Sequence, residues 1–230
     1  MANDTPFVGA DVGYPDYKKF IYQPKSIESI LTVPITLKKG YGILPLGTLL
    51  AKNAVDGKFI SYDIYNSSSP STTVGVEGAQ FAPARAYLVA DSGTTATVLY
   101  VTKDDSYKFA EGDEVHIMDN TTAKEDLGAI TDITITGNRA AITVTSATGG
   151  TSFTTARYAF IVVEGFDTAV GVLAKSVDTG TGETAQGANA EMIISNVVMY
   201  KGCIPNYDTN AIASSGDLVG GTVGQYVYIK

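Results

Sequence analysis

Residues 167–205 read DTAVGVLAKSVDTGTGETAQGANAEMIISNVVMYKGCIP. The stretch opens on the apolar run Ala169, Val170, Gly171, Val172, Leu173, Ala174. It breaks at Asp178-Thr179-Gly180 and resumes from Glu191 to Tyr200 through Met192, Ile193, Ile194, Val197, Val198 and Met199. The first run is β-branched, carries glycine and is too short for a helix, and the second has the same character. Both therefore read as buried strands flanking a loop. Val170, Val172, Leu173, Ile193, Val197 and Val198 are candidate core residues, joined by Leu46 and Leu49 from upstream.

Upstream, Tyr41 to Asp63 reads YGILPLGTLLAKNAVDGKFISYD. Leu44-Pro45-Leu46-Gly47 leads into a strand, Asp56-Gly57 makes a tight turn and Lys58 to Tyr62 returns. Downstream, Asp208-Thr209 is a candidate cap for a short helix through Leu218, and Tyr226 to Ile229 is a candidate last strand. This succession of pieces, spread over about two fifths of the chain, resembles the head decoration proteins of lambda-like tailed bacteriophages.

The resemblance implies a small β-rich fold with one short helix. It also implies homotrimers on the outer capsid surface, where capsomers meet, and contact with the major capsid protein through the N-terminal segment. It carries no catalytic motif. The expected function is that of a structural virion protein that stabilises the head, made in the host cytoplasm, with no enzymatic activity. An alternative from another class is a head fibre or adhesin whose additional β domain binds host surface glycans.

Composition agrees with a β-rich chain. Of 230 residues only 17% are charged, Gly, Thr, Ser and Val are abundant, and no long segment has a helical period. The formal net charge of −8 disfavours nucleic acid as a partner, because that affinity depends on Lys and Arg neutralising phosphates. The pairs Lys18-Lys19 and Lys38-Lys39 are expected to be solvated surface. Cys203 is the single cysteine, which excludes an internal disulfide, and it reads as a small apolar residue beside Ile204. No stretch approaches the ~20 apolar residues of a membrane-spanning helix, so no membrane partner is expected.

The chain divides into three expected parts. Residues 1–29 form an N-terminal arm in which Pro6, Pro15 and Pro24 interrupt any regular element, while Tyr14, Tyr17, Phe20 and Tyr22 carry apolar area it cannot bury alone. Such a segment either drapes over its own domain or orders on a partner, and these four aromatic residues are the candidate capsid-binding site. Residues 30–63 together with 167–230 form the decoration-type core, in which Pro34 restricts the strand Ile30 to Leu37 to an edge or a bulge.

Residues 64–166 are expected to be an inserted, small β-barrel-like domain. It opens with the polar linker NSSSPSTT (66–73) and continues through short strands at Tyr87–Ala90, Ala96–Thr102, Glu114–Met118, Ala129–Ile135, Ala140–Thr145 and Tyr158–Val163. An insertion of this kind requires Asp63 and Asp167 to lie nearly adjacent, and it predicts that the stretch can be excised.

Conventional chemistry finds little to build on. His116, the one histidine, alternates with Val115 and Ile117 and so faces away from them, at the surface or a barrel rim. Asp104, Asp105, Glu111, Asp113, Glu114 and Asp119 are close in sequence, but their spacing is not that of a calcium loop. Gly75-Val76-Glu77-Gly78 and Gly180-Thr181-Gly182 lack the lysine of a phosphate-binding loop and read as turns. No cofactor and no metal are expected.

Overall fold

The computed structural model describes residues 21–22, 31–63, 83–121, 123–195, 197–199, 204–206 and 227–229. In chain order the strands are β1 (Ile21–Tyr22), β2 (Leu31–Leu37), β3 (Ile43–Leu44), β4 (Leu49–Lys52), β5 (Phe59–Ser61), β6 (Ala86–Tyr87) and β7 (Val98–Thr102). They continue as β8 (Glu114–Met118), β9 (Lys124–Thr136), β10 (Arg139–Val144), β11 (Phe160–Val163), β12 (Ala169–Leu173), β13 (Val177–Asp178), β14 (Ala188–Ser195), β15 (Val197–Met199) and β16 (Val227–Ile229). Among the described residues one short α-helix, α1 (Lys103–Ser106), follows β7. The protein is mainly β, as its composition requires.

The opening stretch supplies two staves of a closed barrel, in the order β12-β14-β2-β5-β4. Val172 and Leu173 pair with Ile193 and Met192 across β12 and β14. On the other side of β12, Gly171 and Val172 meet Leu50 and Leu49 of β4. Val172, Leu173, Leu46, Leu49 and Ile193 are buried, together with Leu37, Leu50, Ile60 and Tyr62, while Val170 is only partly buried. The side chains of Val197 and Val198 lie outside the described residues. Pro34 pairs with Glu191 of β14, whereas β5 meets β2 only at Leu37. A residue without an N–H thus sits where the second side of its strand forms no ladder.

A second sheet runs β6-β11-β8-β9-β10-β7. Its outer strands are brought together by a bridge between Leu88 and Val101, and by the Val89 N–H donating to the Tyr100 carbonyl at 2.8 Å. The sheet therefore curls into a second barrel-like body. Strand β9 makes this possible, because its first half pairs with β8 and its second half with β10. The bend between the halves falls at Gly128, whose φ is +66° and where a Cβ would lie 2.3 Å from the Thr145 hydroxyl. Only glycine fits that corner without displacement. Expected turns are found at Asp56-Gly57, between β4 and β5, and at Gly137-Asn138, between β9 and β10.

The described helix stands where none was expected. Helix α1 forms at Asp104 and Asp105 because Thr102 accepts a hydrogen bond from the Asp105 N–H at 3.0 Å and caps the turn. The helix anticipated over 208–218 lies outside the described residues. The last strand, β16, pairs in parallel with β15, and β1 flanks β15 on its other side.

Candidate functional site

Of the four arm residues, Tyr14, Tyr17 and Phe20 lie outside the described residues and Tyr22 is described by its backbone alone. That backbone is held by strand pairing, with Ile21 opposite Met199 and Tyr22 opposite Val198. The end of the arm is thus an edge strand of a three-stranded sheet, β1-β15-β16. Since β15 follows β14 after a single residue, this sheet is carried at the end of a barrel strand.

Between the two barrels lies a polar seam that the sequence did not suggest. The Lys38-Lys39 pair, expected as solvated surface, splits: Lys38 is buried and Lys39 only partly so. Lys38 leaves β2 with its N–H donating to the Phe59 carbonyl at 2.8 Å, and this aims the side chain across the seam. Its Nζ lies 2.5 Å from Oδ1 of Asp113 and 3.3 Å from Oδ2 of Asp56.

Asp113, at the tip of the turn before β8, is buried. Its Oδ1 also accepts from Asn53 Nδ2 at 3.3 Å, and its Oδ2 accepts the Ala110 N–H at 2.7 Å. The Tyr41 hydroxyl is raised well above the ordinary tyrosine range, first by burial and then by the charges of Asp113 and Asp56. Burial works to raise Asp56 too, but the Lys58 N–H and the Lys38 and Lys58 ammoniums prevail and hold its carboxyl below the usual range.

Other pairs cross the same seam. Arg85 donates to both Asp63 oxygens, at 2.7 and 2.8 Å, while its guanidinium stacks 4.3 Å from the centre of the Phe160 ring. Lys103 reaches Glu183 and Lys124 reaches Asp167, both in more exposed settings. Asp63 and Phe166, on the two sides of the seam's connecting stretches, are joined by the Asp63 N–H donating to the Phe166 carbonyl.

His116 sits on this side of the second body, facing away from buried Val115 and Ile117 as its alternation required. Its ring lies against Phe166, with centres 6.3 Å apart. Burial, reinforced by the Lys124 ammonium, holds its pKa below the ordinary histidine range. Nδ1 is buried and accepts no hydrogen bond. No serine, threonine or cysteine side chain is hydrogen-bonded to it among the described residues, so the nucleophile–base contact of covalent catalysis is not formed there.

The acidic residues of 104–119 are dispersed rather than convergent. Asp105 binds Lys108, Asp113 faces Lys38, and Asp119 accepts from the backbone and hydroxyl of Thr121. Glu114 is pushed up by its hydrogen bond to Glu164 and by that neighbour's charge. Among the described residues no three His, Cys, Asp or Glu side chains converge as metal ligands. In comparisons with known proteins the chain matches no family model, no curated protein and no solved structure.

Proposed function

We propose that this protein is a structural component of a tailed-phage virion that binds the outside of the head and stabilises the shell. It does so as a homotrimer in contact with the major capsid protein, with no catalytic role. The observation that carries the reading is the pairing of Ile21–Tyr22 with Val198–Met199. An arm fastened to its body by strand addition holds the preceding aromatics, Tyr14, Tyr17 and Phe20, within a few residues of a fixed point. An extended segment so tethered can add to an exposed strand edge of a capsid subunit, its backbone giving affinity and its rings filling pockets. The segment order that resembles head decoration proteins supports the same reading.

The test compares occupancy on expanded heads of the encoding phage for three proteins. These are the full chain, a chain beginning at Ile30, and the Tyr17→Ala, Phe20→Ala variant. Aromatic anchors contribute ~2 kcal/mol or more each, so the double variant should bind about a thousandfold more weakly. Equal occupancy by all three would sink the arm as the attachment site. Heads without the protein should also rupture at lower temperature.

A second reading, glycan binding by the six-stranded body, is favoured by Tyr158. Its side chain is 59% exposed and its backbone sits at φ 53°, a strained conformation for an aromatic residue. Glycan-array binding that is lost in Tyr158→Ala would establish it.

A further inference from the structure

We propose that Lys38 and Asp113 join through an intramolecular isopeptide bond that covalently staples the two β bodies, with Asp56 as the proton carrier. The proposal does not depend on the function proposed above. Three observations converge on it. The amine and the carboxyl are 2.5 Å apart, and both side chains are 4% exposed. A second carboxylate, Asp56, lies 3.3 Å from the same nitrogen. Hydrogen-bond donors from Asn53 and from the Ala110 backbone are aimed at the two oxygens of Asp113.

Other short cation–carboxylate contacts among the described residues do not share this setting. Lys103 and Glu183 approach equally closely, but the glutamate is 72% exposed and water keeps both groups charged. Lys108 contacts Asp105, but its Nζ also donates to the Arg85 carbonyl and meets no second carboxylate. Passage of one proton across the Nζ–Oδ1 contact leaves an amine without its extra proton, which is a nucleophile, against a protonated carboxyl. Asp56 is one-quarter exposed, enough to exchange a proton with solvent while still reaching Lys38.

The step balances without any co-reactant. The Nζ lone pair attacks Cγ of protonated Asp113, and the N–C bond forms while the charge gathering on Oδ2 is met by the Ala110 N–H and Asn53 Nδ2 holds the departing Oδ1. Asp56 takes one proton from the nitrogen and returns it to Oδ1, which leaves as water. Oδ2 remains as the amide oxygen, still facing the Ala110 N–H. Nothing is oxidised or reduced. The barrier is one of positioning, and the framework supplies it. Lys38 is pinned through its own N–H to Phe59. Gly40, two residues on, lies so close to the Lys108 backbone that an added Cβ would sit 3.0 Å from its nitrogen. Groups held in this way reach effective concentrations of ~10⁵ M or more.

Intact-mass spectrometry of the full chain, denatured after prolonged incubation at neutral pH, tests the proposal directly. The protein should be lighter than its sequence mass by one water, and Lys38→Met should have the full mass. Trypsin should fail to cut after Lys38 and should release a branched peptide carrying both residues. Asp56→Asn, which retains an oxygen and the approximate shape, should fold and form the bond at least tenfold more slowly. Wild-type protein at full sequence mass, with separate Lys38 and Asp113 peptides, overturns the proposal. So does a water loss that persists in Lys38→Met, since it would then come from elsewhere. Unslowed formation in Asp56→Asn overturns the role given to Asp56.

Discussion

The Asp63 N–H donates to the Phe166 carbonyl oxygen at 2.9 Å, so the chain returns to the first barrel beside the point where it left. The stretch between them is bound to that barrel by more than its two crossings, because Arg85 grips Asp63 and Asp113 faces Lys38. Replacing residues 64–166 by a short Gly-Ser turn therefore leaves Lys38 without Asp113. Before any bond forms between them the two are a buried charged pair, and removing one partner of such a pair costs ~3 to 5 kcal/mol. Denaturant unfolding of the excised protein should show a loss of that order, and Lys38→Met in the same background should recover most of it. If the excised barrel gained nothing from Lys38→Met, the seam would contribute nothing to its stability.

Leu173 is fully buried between its β4 and β14 neighbours. Leu173→Ala should cost ~2 to 5 kcal/mol, through lost burial and the cavity left behind. Val170→Ala, at a partly buried site on the same strand, should cost clearly less. Thermal melts of the two variants measure the difference, and equal shifts would mean that β12 presents a different face to the core.

Gly165 lies in the turn joining β11 to β12, at φ +88°, and a Cβ there would come within 2.3 Å of the Lys52 carbonyl oxygen. The obstacle is backbone and cannot swing aside. Gly165→Ala should destabilise by about 2 kcal/mol or more, combining left-handed strain with that collision. An unchanged melting temperature would show that this turn and the end of β4 do not approach so closely.

His116 gives a pH dependence with a definite sign. Its folded pKa lies below the ordinary 6.5, burial being the main cause and Lys124 the next, opposed by Asp126 and Asp167. The unfolded chain therefore binds the proton more readily, and stability present above about pH 6.5 falls as the pH drops toward the folded value. His116→Gln should lose less stability than the wild type between about pH 7 and pH 5, as read from melting temperature against pH. Parallel curves for the two proteins would remove the histidine from the account.

The strand at 169–173 was legible because an apolar, β-branched run needs only local chemistry to declare itself, whereas the single strand expected over 191–200 is two, β14 and β15, which start at Ala188 and part into different sheets. The turns at Asp56-Gly57 and Gly137-Asn138 were legible for the same reason. Helix α1 was signalled by Thr102 and Asp105 three residues apart, a capping pattern masked because Thr102 also closes a strand. The seam was not legible. Lys38 and Asp113 are 75 residues apart, and each taken alone has the composition of exposed surface. Asn206 is a similar case: it accepts from the Leu49 N–H and donates to the Leu49 and Tyr62 carbonyls, replacing a stretch of ladder from far along the chain. Burial of a polar side chain depends on what faces it, and hydrophobic periodicity carries no record of that.

The small sheet in which β15 separates β1 from β16 also governs how the molecule responds to tension. Residues 21–22 and 227–229 both attach to 197–199, one antiparallel and one parallel. A force applied between those outer strands must first strip or shear the short ladders on β15. Neither barrel lies on the direct line of that load. An optical-trap pull through these two strands would accordingly yield in two stages, a weak early opening followed by a much stiffer body.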